Sequence, residues 1–167
     1  FGLYYDSANA FALPGGVIYF SKQLYDLLDN EAEIVAILAH EKGHIDLGHC
    51  IDLYRKEAKR GSISNLGSIE TIVTSLPSFF MSIAYSKYAE DEADQYAFET
   101  LIRLGYSPFA LSATFKKLYS LNENDKSKSN ILIDFFKTHP SLPIRIENWH
   151  EAAVRFSKLH PNFHEGR

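Results

Sequence analysis

The chain has 167 residues, 46% of them hydrophobic and 14% aromatic, with 17 basic and 21 acidic side chains. That length suits a single domain with a core that needs no staples, and the composition excludes disorder as the main state. A net charge of −4 offers no basic stripe for phosphates, which excludes a nucleic-acid partner, and the lone Cys50 excludes an intramolecular disulfide.

Residues 2–20 are expected to be extended, with Pro14-Gly15-Gly16 as a turn and Val17 to Phe20 as a short apolar strand. A short helix over residues 21–28 follows. Asn30, with Glu33 three residues on, is a capping-box start. Ile34, Ile37, Leu38, Glu41, Ile45 and Gly48 then recur at helical spacing, which predicts one long helix from Glu31 to about Lys59. Residues 61–65 break it. Residues 66–85 are apolar but irregular and contain Glu70 and Pro77, so they predict a core helix broken at Pro77, with a membrane-facing or substrate-covering lid around Phe79, Phe80 and Met81 as the alternative. No window approaches the run of about 18 apolar residues that a membrane span needs. Helices are expected over 86–104, with Gly105 at the end, over 107–121, over 131–137 and from Pro143 to about residue 159. Residues 122–130 lack apolar side chains and predict a surface loop. The class is α+β, mostly helical, with a small N-terminal sheet. The chain opens at Phe1 without an initiator Met or a charged leader, and is expected to be a piece of a longer precursor.

His40-Glu41-Lys42-Gly43-His44 is an HExxH motif inside the long predicted helix. Residues four apart share a helix face, so His40 and His44 can reach one metal ion. Glu41 projects beside that face, where it can act as a general base. The flanks (Ile34 to Ala39, Ile45, Leu47) are apolar, and a metal is the partner that would satisfy two buried histidines together. A third ligand is needed. The extended pattern with glycine three and histidine six residues after the second ligand is rejected, since Leu47 and Cys50 occupy those positions. The better source is Glu90-Asp91-Glu92-Ala93-Asp94. Glu90 and Asp94 share a face with Ala97 and Leu101, so Glu90 would be a ligand and Asp94 would accept the second ring N–H of a ligating histidine. His49 falls nearly opposite His40 on an unbroken helix, a poor position for a ligand.

Four segments in order make the sequence resemble the M48 family of zinc metallopeptidases: Asn9 to Gly16, the HExxH motif with His49 after it, Glu90 to Asp94, and His139-Pro140 followed by Arg145. The resemblance implies a zincin-like (gluzincin) domain over residues 1–167, its small sheet against the active-site helix, and one Zn2+ on His40, His44 and Glu90. It implies a zinc-dependent endopeptidase acting on protein or peptide substrates. The alternative is a proteolytically latent, metal-stabilised module that binds clients or partners. Gly16, Val17, Ile18 and Tyr19 resemble the edge strand on which such enzymes lay an extended substrate, and an ordinary core strand is the other reading. His139 is a donor to the developing oxyanion, a gating residue, or a loop histidine capping the next helix. Arg145 would hold that segment against a helix-borne carboxylate such as Asp94, and a surface role is the other reading. Lys42 departs from the aliphatic residue that relatives commonly carry. His150, His160 and His164 are expected at the surface, and Tyr85 and Tyr88 in the core. The resemblance further implies a quality-control protease of the bacterial periplasm or membrane-associated envelope.

Overall fold

Glycines at the first turn fold the chain back on itself. In the computed structural model, which describes residues 7–60, 79–80 and 83–163, Gly15 and Gly16 have φ of 97° and 86°, left-handed values that cost glycine little. Strand β1 (Ala10–Leu13) therefore pairs antiparallel with β2 (Val17–Phe20), Ala10 opposite Phe20 and Leu13 opposite Val17. Residues 2–6 of the expected extended stretch, the break at 61–65, residues 66–78, Met81 and His164 lie outside the described residues. Ser21 caps the one-turn helix α1 (Lys22–Tyr25) and also accepts from the Asn9 N–H at 2.9 Å, which anchors the sheet. This helix ends before the expected residue 28.

Helix α2 (Glu31–Asp46) starts at the expected cap: Asn30 Oδ1 accepts from the Glu33 N–H at 3.0 Å, while Glu33 reaches back one residue beyond the cap, to the Asp29 N–H at 2.8 Å. The expected single helix to Lys59 is corrected. Gly48 adopts φ 78°, and the chain restarts as α3 (His49–Lys59) in a new direction. Helix α4 (Lys87–Arg103) is capped by Ser86, and α5 (Ala110–Asn124), α6 (Lys126–Thr138) and α7 (Leu142–Leu159) complete the fold. The expected loop over 122–130 is also corrected. Its hinge is one residue, Asp125, whose carboxylate accepts from the Ser127 and Lys128 N–H groups and starts α6 at once.

The pairing that builds the site is α2 on α4. Gly43 permits it, since a Cβ there would lie 3.1 Å from both Ala93 Cα and Tyr96 Cβ. Buried Ala36, Ala39, Ala93 and Ala97 continue the small-residue character of these two helices. The main apolar core joins α2, α4, α5, α6 and α7 through Ile37, Leu101, Leu111, Phe115, Leu118 and Phe135. A smaller cluster of Phe11, Cys50, Leu53, Phe80, Tyr85 and Ala89 lies under the sheet and α3. Tyr88 does not join it. At 71% exposure it faces solvent, because its place in the first turn of α4 points away from both clusters. Among the described residues, no helix is long and apolar enough to cross a membrane.

Candidate metal centre and active site

Helix periodicity sets two pairs of side chains against each other across the α2–α4 contact. His40 and His44 come from α2, Glu90 and Asp94 from α4, and all four are buried. The Nε2 atoms of His40 and His44 lie 3.2 Å apart, and Glu90 Oε1 is 3.4 Å from His44 Nε2. His139, the residue that ends α6, adds its Nδ1 at 3.3 Å from His40 Nε2 and 3.2 Å from Glu90 Oε1. Ligand atoms from His40, His44, Glu90 and His139 all lie within 4.8 Å of one another, a group able to bind a metal.

The donor set fits a cation. Imidazole nitrogens turned on one another repel unless a proton or metal stands between them. The outward nitrogens of the α2 histidines already have neighbours: Asp94 Oδ1 lies 2.9 Å from His40 Nδ1, and His49 Nδ1 lies 3.0 Å from His44 Nδ1. That leaves both Nε2 atoms directed inward.

Arg145 holds the carboxylates. Its Nε and Nη2 donate to Asp94 at 2.7 Å each, its Nη1 pairs with Glu90, and its guanidinium stacks 4.7 Å from the Phe115 ring centre. The Trp149 indole donates to Asp94 as well, at 3.1 Å. Arg145 Nη1 also reaches the Pro140 carbonyl at 3.4 Å, tying the His139 segment to α4. Among the protein's own groups, burial alone would raise Glu90, but His139 and Arg145 outweigh it and hold the carboxyl well below its usual range. Asp94 is lowered in the same way by Arg145. Burial pushes His44 down to about 3, so its imidazole stays neutral, as a metal ligand must be. His139 is pushed up to about 9, because Glu90 and Glu41 outweigh its burial.

Glu41 sits beside this cluster, fully buried, with the Ala12 backbone N–H as a neighbouring donor. Its Oε1 is 3.3 Å from His139 Nε2. Burial raises its carboxyl above the usual value, opposed in part by His139 and His40. A buried carboxylate whose proton affinity is raised, next to a group of metal donors, is equipped to take a proton from water.

The structure brings β1 rather than β2 to these groups. His139 Nε2 lies 3.3 Å from the Ala10 carbonyl, while Gly16, Val17, Ile18 and Tyr19 form the turn and the paired second strand. His49 was not legible as a neighbour of the site. It reaches His44 because Gly48 breaks the helix, and the signals available were that glycine and the recurrence of His49 in the resemblance. Lys42 pairs with Asp46 at 2.6 Å on the exposed face of α2, away from the buried donors. His150 and His160 are exposed. A cleft of about 530 Å3 adjoins the site, lined by Leu47, His49, Leu53, Tyr85, Ala89 and Glu92. A larger one of about 610 Å3 between α5 and α7 is remote from the donors.

Two helix-borne histidines one turn apart, an intervening glutamate and a carboxylate from a second helix define the metallopeptidase class. The chain belongs to peptidase family M48, whose model matches residues 3–153. It is similar to the metalloprotease LoiP of Escherichia coli K12, 31% identical over 84% of this chain and 56% of that protein. Similarity to the beta-barrel assembly-enhancing protease of the same strain is 25% over 93% of this chain and 34% of that protein. For the mitochondrial metalloendopeptidase OMA1 of Saccharomyces cerevisiae, identity is 26% over 92% of this chain and 46% of that protein. The chain thus spans about half the length of these relatives or less.

Proposed function

We propose that this chain is the catalytic domain of a zinc-dependent endopeptidase, with zinc on His40, His44 and Glu90 and with Glu41 as general base. The observation that carries the proposal is the buried four-residue donor group with the fully buried Glu41 carboxylate against it. Zinc there supplies Lewis acidity, polarising the scissile carbonyl and acidifying water. Glu41 takes the proton as water attacks and hands it to the leaving amine. Asp94 fixes the His40 ring, and Arg145 holds Asp94 and Glu90 in place.

His139 is the gate of this site. Peptide hydrolysis needs one open position, and a fourth protein donor closes it. His139 therefore withdraws when substrate docks. Its contact with the Ala10 carbonyl couples that withdrawal to β1, whose edge we take as the docking line for an extended peptide, with Val17 to Tyr19 backing it. The substrates are proteins or peptides, and the place of action is the bacterial envelope, at the periplasm or the membrane periphery. The similarity to a beta-barrel assembly-enhancing protease supports that placement.

Casein cleavage tests the reading. Cleavage should be inhibited by 1,10-phenanthroline, and Glu41→Gln should keep its zinc while losing activity. Full cleavage by that variant would overturn the mechanism. Zinc without any cleavage by the native chain would favour the latent binding module.

A further inference from the structure

The bend at Gly48 gives His44 a neighbour that a continuous helix would have carried away. His49 opens α3, and its Nδ1 lies 3.0 Å from His44 Nδ1. Its other nitrogen, Nε2, lies 3.1 Å from Glu92 Oε2 on α4. The His49 side chain is 10% exposed and that of Glu92 36% exposed. Three groups from three helices thus form a line that runs from the metal donors to the surface.

We propose that His49 and Glu92 are positioning residues for His44. The proposal rests on the reading of His44 as a metal ligand through Nε2. With that lone pair committed to the metal, the ring proton of His44 sits on Nδ1 and donates to His49 Nδ1. His49 Nδ1 must then carry a lone pair, which puts the His49 proton on Nε2, where it donates to Glu92. Each step leaves only one tautomer, and the carboxylate at the end of the line selects it. His40 is held directly by Asp94, so the two ligand rings are oriented by unlike devices, one carboxylate in contact and one relayed through a second imidazole. Tyr85 completes the clamp, stacking on the His44 ring at 3.7 Å between centres and 11° between planes.

Zinc competition against a fluorescent chelator, together with 15N histidine spectra of the zinc-loaded protein, tests this. His49→Leu should weaken zinc binding about 10- to 100-fold, the range for loss of a partner behind a metal-bound imidazole. His49→Asn, whose amide oxygen stands where Nδ1 does, should recover most of that loss. Glu92→Gln, at a partly exposed position that folding tolerates, should fall between the native chain and His49→Leu. In the native spectrum the His49 proton should be on Nε2. A His49 proton on Nδ1, native affinity in His49→Leu, or an Asn variant as weak as the Leu variant would each overturn the proposal. Failure of the native chain to bind zinc at all would overturn the metal reading and this proposal with it, a result separable from the others.

Discussion

At the scale of single side chains, the site is a balance of buried charges around His139. Its ring touches Glu41, Glu90, His40 and the Ala10 carbonyl, so its withdrawal would uncover several polar groups at once. His139→Ala separates the gate from the alternative role of oxyanion donor. A gate removed should raise the rate of casein cleavage, whereas loss of an oxyanion donor would cost about 10²- to 10³-fold. Initial rates at saturating zinc distinguish these opposite signs. Much of this chemistry was legible from spacing. His40 with His44, and Glu90 with Asp94, each lie one helical turn apart, and a carboxylate pair on an apolar stripe is conspicuous in any sequence. The place of His139 among the buried donors was not legible from spacing, because its contact with His40 spans 99 residues and a His-Pro dipeptide alone does not say what its ring will meet.

At the scale of elements, the functional unit is the α2–α4 pair and what lets it close. Gly43 contributes no ligand atom, yet it decides how near the two histidines come to the two carboxylates. Gly43→Ala places a methyl group within 3.1 Å of Ala93 and Tyr96, so the helices must part. Overpacking of this kind should cost about 1–3 kcal/mol. At about 2–4 °C per kcal/mol for a domain of this size, thermal unfolding should read a clear fall in Tm. Zinc affinity should fall with it. The helices themselves were legible through their caps, Asn30 and Ser86 above all. The break at Gly48 was not, because a lone glycine in a helical pattern is compatible with continuation, and only packing on α4 selects its positive φ. The α5–α6 hinge was missed for a related reason. A polar run reads as loop until Asp125 is seen capping the helix that follows it.

At the scale of the whole molecule, the donors lie where the large and small apolar clusters meet, so pH acts on the fold through buried groups. Consider the protein held metal-free by a chelator. His44 takes up a proton near the ordinary 6.5 when unfolded but only at about 3 when folded, so stability is present above 6.5 and is lost as pH falls toward 3. His139 shows the opposite sign: its folded value of about 9 gives stability that is full below 6.5 and is lost as pH rises through 9. Urea midpoints of the metal-free protein should therefore peak near neutrality, and a monotonic pH profile would contradict these shifts. The centre also joins parts of the chain made at very different times. His40, Glu41 and His44 precede Glu90 by about fifty residues, and the cation that neutralises Glu90 and Asp94 arrives only with Arg145, 51 positions after Asp94. A chain still leaving the ribosome carries the motif long before it can bury it. The charge balance around the buried donors is thus complete only once α7 docks and brings Arg145 against Glu90 and Asp94.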